Sequence, residues 1–193
     1  MSQNDTARSI LIAARALLDE GGVQAVSMRK VAEQVGITAM AIYRHFPDQA
    51  ALMNAVSDQG FTDLVAALQA IELSGDTEER MLALCEAYLD QALVTPRLFE
   101  LMFLTRRQGA RQFPRDFKAG LSPTANLFAR LVEEGIRTGE LRDEDPWEIT
   151  FEMGALFQGL IMLYLGGRFE GGPEAFRQFY RRSLRRYIHG IHR

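Results

Sequence analysis

Apolar residues return every three or four positions along almost the whole chain, and no stretch of strict alternation rich in β-branched residues is long enough to make a strand. The pattern predicts an all-α protein of roughly nine helices. A first helix runs from about Asp5 to Glu20 with Ile10, Leu11, Ala14, Leu17 and Leu18 on one face, and Gly21-Gly22 ends it. Ser27 caps a second helix through Val35, Gly36-Ile37 turns the chain, and Thr38 caps a very short third helix through about His45. Pro47-Asp48 opens a long fourth helix reaching about Ile71.

Ser74-Gly75-Asp76 breaks the chain before a fifth helix with Met81, Leu84, Cys85, Tyr88, Leu89 and Ala92 on one face. Thr95-Pro96 begins a sixth that ends near Arg107, Gly109 to Pro114 is a loop, and Arg115 to Arg137 is helical with a break at Ser122-Pro123. Asp145-Pro146 starts the next helix. Gly172-Pro173 opens the last, which sets Phe176, Tyr180, Leu184, Tyr187 and Ile191 on one stripe and leaves Arg177, Arg181, Arg182, Arg185 and Arg186 largely off it, as a solvated face. The layout suggests a small domain at residues 1–50 and a larger one at 51–193.

Composition adds limits. With 193 residues, 47% hydrophobic and 24% charged, the chain has the profile of a globular protein able to bury a core. The single cysteine, Cys85, excludes an internal disulfide and a multi-cysteine zinc site, and its apolar helical face predicts a buried, inert thiol. The formal net charge of −3 means that any contact with nucleic acid rests on a local patch. Ile149 to Leu165 is apolar but short for a bilayer span and carries Thr150, Glu152 and Gln158, so it reads as a buried helix with no membrane partner. Met1 to Ile10 lacks the basic start and apolar run of a secretory signal, and a cytoplasmic location is expected.

Function enters with Ser27 to Phe46, SMRKVAEQVGITAMAIYRHF. Val31, Ala32 and Val35 face inward, Gly36 relieves the turn, and Ile42 and Phe46 anchor the next helix: a helix-turn-helix whose second helix can enter a major groove. The run from about Thr6 to Val56 resembles the TetR family of bacterial transcriptional regulators, through SMRKVAEQVGIT, AIYRHF and the P-D-Q-x-A-L-M start of the long helix. The resemblance implies that Arg29 contacts a base or phosphate, that Thr38, Ala39, Met40 and Ala41 open the recognition helix, and that Tyr43 and His45 meet phosphates. Ser27, Lys30, Arg44 and Gln49 complete the expected DNA-binding set. Many family members have Lys where this chain has Gln49, which adds no charge, so a modest electrostatic affinity is expected.

One short recognition helix reads few bases, so pairing of two copies is expected. The last two helices are the candidates, with Ala155 and Gly159 as a small-residue strip and Tyr180, Leu184 and Tyr187 beside them; the resemblance implies a homodimer through a four-helix bundle. Tyr88, Phe99, Met102, Phe103, Phe117, Phe128, Met153 and Phe157, with Gln158 as an orienting group, suit a small apolar or aromatic effector. No cofactor is expected, and no nucleophile and base constellation marks an enzyme. His189 and His192 have chelating spacing but fall at a terminus expected to fray, without a third ligand. The reading is a repressor that binds a palindromic operator in double-stranded DNA; the alternative is a helical ligand-binding or interaction protein without DNA binding.

Overall fold

The computed structural model describes residues 3–107 and 109–193. Its elements are α1 (Gln3–Gly21), a 3-10 turn (Val23–Ala25), α2 (Met28–Val35), α3 (Ala39–Tyr43), α4 (Gln49–Gln69), α5 (Thr77–Val94), α6 (Pro96–Leu104), α7 (Arg115–Lys118), α8 (Pro123–Thr138), α9 (Pro146–Leu165) and α10 (Pro173–Ile191). The all-α reading holds among the described residues, where pairing outside helices is confined to an isolated bridge between Leu141 and His192. Ten helices replace the nine expected, because the segment after Arg115 divides. Gly120 adopts a left-handed φ of 71° behind α7, and Pro123 starts α8 afresh.

The chain forms two compact units, one running through Asp63 and including Val94–Gln108, the other made of Leu64–Leu93 and Gly109–Arg193. In the first, Ile10, Ala14 and Leu18 of α1, Val31 and Ala32 of α2, Ile42 of α3 and Leu52 and Val56 of α4 are buried. Helix α6 packs on α1, where Arg97 Nη1 donates to the Asp19 carbonyl at 2.9 Å. It also meets α4 at Gly60, where a Cβ would stand 2.7 Å from Met102 Sδ and 2.9 Å from Leu98 Cδ2, so the glycine permits the close approach. Just past α6, Arg107 donates to Ser57 Oγ at 2.8 Å, pairs with Asp58 and lies over the Phe61 ring.

In the second unit α5 is the inner helix, with Met81, Leu84, Cys85, Tyr88, Leu89 and Ala92 buried. Phe128 and Val132 of α8 and Phe176, Tyr180, Leu184 and Ile188 of α10 are buried there too, and Tyr180 Oη donates to the Cys85 carbonyl at 2.9 Å. The arginine-rich side of α10 is more organised than the solvated face expected. Arg177 pairs with Asp90, Arg181 with Glu86 at 2.7 Å and Arg185 with Glu78 at 2.8 Å, a ladder along α5 at helical spacing. Each rung is partly exposed and contributes about 0–1 kcal/mol. The terminus expected to fray is instead tied down: the Arg142 amide donates to the Ile191 carbonyl at 2.9 Å, and Arg142 Nε to the His192 carbonyl at 3.0 Å.

Cys85 is fully buried, and burial pushes its thiol well above the ordinary range, so the reactive thiolate does not form in the native state. A water-soluble disulfide reagent at pH 8 is therefore expected to leave the folded protein unmodified over hours and to label one thiol per chain in denaturant; prompt labelling of native protein would contradict this packing.

Candidate nucleic-acid interface

The helix-turn-helix is built from three local devices. Ser27 Oγ accepts the Lys30 amide at 3.3 Å and caps α2. At the far end Gly36 adopts φ 74°, and the Ile37 amide bonds back to the Ala32 carbonyl at 3.0 Å, closing α2 with a left-handed residue that favours glycine. Thr38 Oγ1 then accepts the Ala41 amide at 3.3 Å and starts α3. Val31, Ala32 and Ile42 are buried between the helices, which fixes the opposite side of α3 outward.

That outward side holds most of the expected DNA-binding set. Met40 is 70% and Tyr43 49% exposed, unusual for large apolar side chains. Arg29, Lys30, Thr38, Ala39 and Arg44 are also exposed, whereas Ser27, Ala41 and His45 are half-buried. Arg29, Lys30 and Arg44 supply cations, and Tyr43 a phenol able to donate to phosphate. The Ser27 and Thr38 oxygens accept the cap bonds, yet each hydroxyl still has a proton to donate. Gln49 is exposed as well, and its Nε2 donates to the Val26 carbonyl at 2.9 Å in a partly buried hydrogen bond.

Of the expected effector-binding residues, Tyr88, Phe128, Met153, Phe157 and Gln158 belong to the second unit. Ring centroids are 4.6 Å apart for Tyr88 and Phe157 and 5.0 Å for Phe128 and Phe157, and Gln158 Nε2 donates to Tyr88 Oη at 2.9 Å. Burial raises the Tyr88 phenol well above its usual value, so it remains a neutral hydroxyl. Phe117 joins Phe113 and Phe151 instead, 5.6 Å from the latter ring. Phe99, Met102 and Phe103 stand on α6 in the first unit, where Phe103 meets Phe61 edge-on at 5.2 Å.

The expected pairing residues divide. Ala155 and Gly159 are exposed on α9, and nothing lies within 4 Å of a Cβ placed at Gly159. Tyr180 and Leu184 require correction: both are fully buried in their own unit, because the α10 stripe that carries them faces inward. Tyr187 is half-buried, its hydroxyl 3.0 Å from Glu152 Oε2 and 3.2 Å from the Ile149 carbonyl. The reading of α9 as a buried helix holds for one side only. Ile149, Met153, Phe157 and Ile161 are covered, but Phe151 is 43% and Leu163 53% exposed. Phe151, Ala155, Gly159 and Leu163 make a strict i, i+4 row, whose small residues Ala155 and Gly159 are among the expected pairing residues and whose ends, Phe151 and Leu163, are not. By length and apolar composition alone α9 could cross a bilayer.

His189 Nε2 lies 2.8 Å and His192 Nε2 4.0 Å from Glu78 Oε2, but among the described residues no group of three or more such side chains is arranged to hold a metal ion.

A family model described as bacterial regulatory proteins, tetR family, matches residues 10–56, and a tetracyclin repressor-like C-terminal domain model matches residues 81–187. The HTH-type transcriptional repressor KstR of Mycolicibacterium smegmatis is 30% identical over 102 residues, 52% of this chain and 50% of KstR. The HTH-type transcriptional activator FasR of the same organism is 28% identical over 126 residues, 63% of this chain and 58% of FasR. The chain thus spans about half the length of the curated relatives it matches. A solved protein of unknown function from Rhodococcus sp. RHA1 has a TM-score of 0.82 at 28% identity, covering 97% of this chain and 96% of that one. With both parts of the molecule matched and the helix-turn-helix formed as described, the chain belongs to the tetR family of bacterial regulatory proteins.

Proposed function

We propose that this protein represses transcription in the cytoplasm by binding a palindromic operator as a homodimer, and that a small apolar or aromatic ligand releases it. The observation that carries the DNA reading is the tip of α3, where Met40 and Tyr43 project into solvent from a helix anchored only by its inner face. Met40 suits apolar contact with a thymine methyl, Tyr43 and His45 suit phosphates, and Arg29 can read guanine bidentately or hold a phosphate.

Pairing of two copies is supported by the exposed row of α9, since a partly uncovered apolar stripe with two small residues lets another helix approach closely. The same row argues for a protein partner over a lipid one, as the opposite side of α9 is packed in the protein core. Release by a ligand is supported by the Tyr88 and Gln158 pair set among aromatic rings, a polar pair in apolar surroundings. Helix α4 begins directly after the recognition segment and contributes to both compact units, so it is the element through which occupancy would reach the DNA-binding face. A hundredfold release needs a coupling free energy of about 2.7 kcal/mol, within the range that allosteric proteins reach.

The test is retention of genomic fragments by purified protein, followed by anisotropy titration on the retained sequence. Arg29→Ala and Tyr43→Ala are each expected to weaken operator binding about tenfold or more, in line with roughly 1–3 kcal/mol for a specific contact. Both side chains are exposed, so the melting temperature should stay within about 2 °C of the parent. Retention of no fragment above non-specific background would refute the DNA reading.

Salt dependence gives a second check. With Arg29, Lys30 and Arg44 as the cations of each half-site, the logarithmic slope of affinity against salt is expected near about −5 for a dimer. A slope steeper than about −8 would mean that other cations carry the binding.

A further inference from the structure

Gln49 stands at the first position of α4, three residues after Phe46, where an exposed side chain could reach DNA. The side chain is exposed, yet its donor nitrogen is engaged by the Val26 carbonyl at 2.9 Å, across 23 residues of chain, in a partly buried bond. Val26 is buried and immediately precedes Ser27, whose side chain and carbonyl hold the first turn of α2 by accepting the amides of Lys30 at 3.3 Å and Val31 at 3.0 Å. The neighbouring Asp48 caps α4 by accepting the Ala51 amide at 2.7 Å, so the start of α4 presents a carboxylate to its surroundings. One carboxamide therefore joins the beginning of α4 to the residue just before the cap at which α2, with Arg29 and Lys30, begins.

Resting on the DNA-binding reading above, we propose that Gln49 is a positioning residue for the DNA-binding face and not a contact to DNA: its hydrogen bond to the Val26 carbonyl holds the capped start of α2 in register with α4. A shift of α4 along its axis is transmitted through this bond to Ser27 and hence to the cations that follow it. A neutral donor is sufficient for that task, and a carboxylate at position 49 would not serve because it has no proton to give the carbonyl.

The test uses the full chain uniformly labelled with 15N, the Gln49 side-chain resonances being identified by their loss in Gln49→Met. In DNA-free protein the Gln49 amide protons are expected to exchange slowly, and adding the retained operator fragment should leave their shifts in place. Gln49→Met, similar in length but without a donor, should speed hydrogen exchange at the Lys30 and Val31 amides without DNA. It should also weaken operator binding about five- to tenfold, as loss of one hydrogen bond predicts, with the salt slope unchanged. Movement of the Gln49 resonances on adding operator, or unchanged exchange at Lys30 and Val31 in the variant, would overturn the proposal. If the parent protein retains no DNA, the regulator reading fails, while the exchange comparison on DNA-free protein still decides whether the bond positions α2.

Discussion

A helix of five residues does not hold itself together, because fixing its backbone costs more than its few internal hydrogen bonds return. Helix α3 exists because Ile42 is buried beneath it, a contribution of about 1.5–3 kcal/mol, and because Gly36 and Thr38 fix the direction in which the chain enters. The exposed side chains of α3 are therefore aimed by what lies underneath, with α2 packed against it. The neighbouring parts of the first unit, including α6 docked at Gly60 and Arg107 fastened to Ser57 and Asp58, stiffen α4, which follows α3 after a short turn.

Most of this was legible in the amino-acid order wherever a local rule decides the outcome. Ser27, Gly36, Thr38 and Pro96 mark helix ends by their own chemistry, and the structure puts those ends where the residues stand. Legibility failed where a distant residue decides. The hydrogen bond of Gln49 depends on a carbonyl 23 residues earlier, and nothing at position 49 announces it. Tyr180 and Leu184 share a stripe, but periodicity says only that the stripe is apolar, not whether its cover comes from the same chain; α5 lies in this unit and supplies it. The 3-10 turn at Val23–Ala25 was not foreseen, and the stops of α4 and α6 came a few residues early, as helix ends commonly do.

Helices α9 and α10 illustrate two ways in which an amphipathic element can be finished. Helix α10 is complete within its own unit, its apolar stripe buried and three of its arginines engaged with acids of α5. Helix α9 is covered along Ile149, Met153, Phe157 and Ile161 and left open along Phe151, Ala155, Gly159 and Leu163. The uneven exposure separates what the unit needs in order to fold from what it offers outside itself.

The ladder on α10 has a bearing on how a protein with 20 arginines among its 22 basic residues can be selective at all. Guanidinium groups free along a helix would adhere to any stretch of duplex, and a regulator coated with them would be titrated away by the bulk of a chromosome. Matching Arg177, Arg181 and Arg185 with carboxylates on the adjoining helix lowers that stickiness along α10 and, on the proposed reading, leaves more of the attraction to the helix-turn-helix.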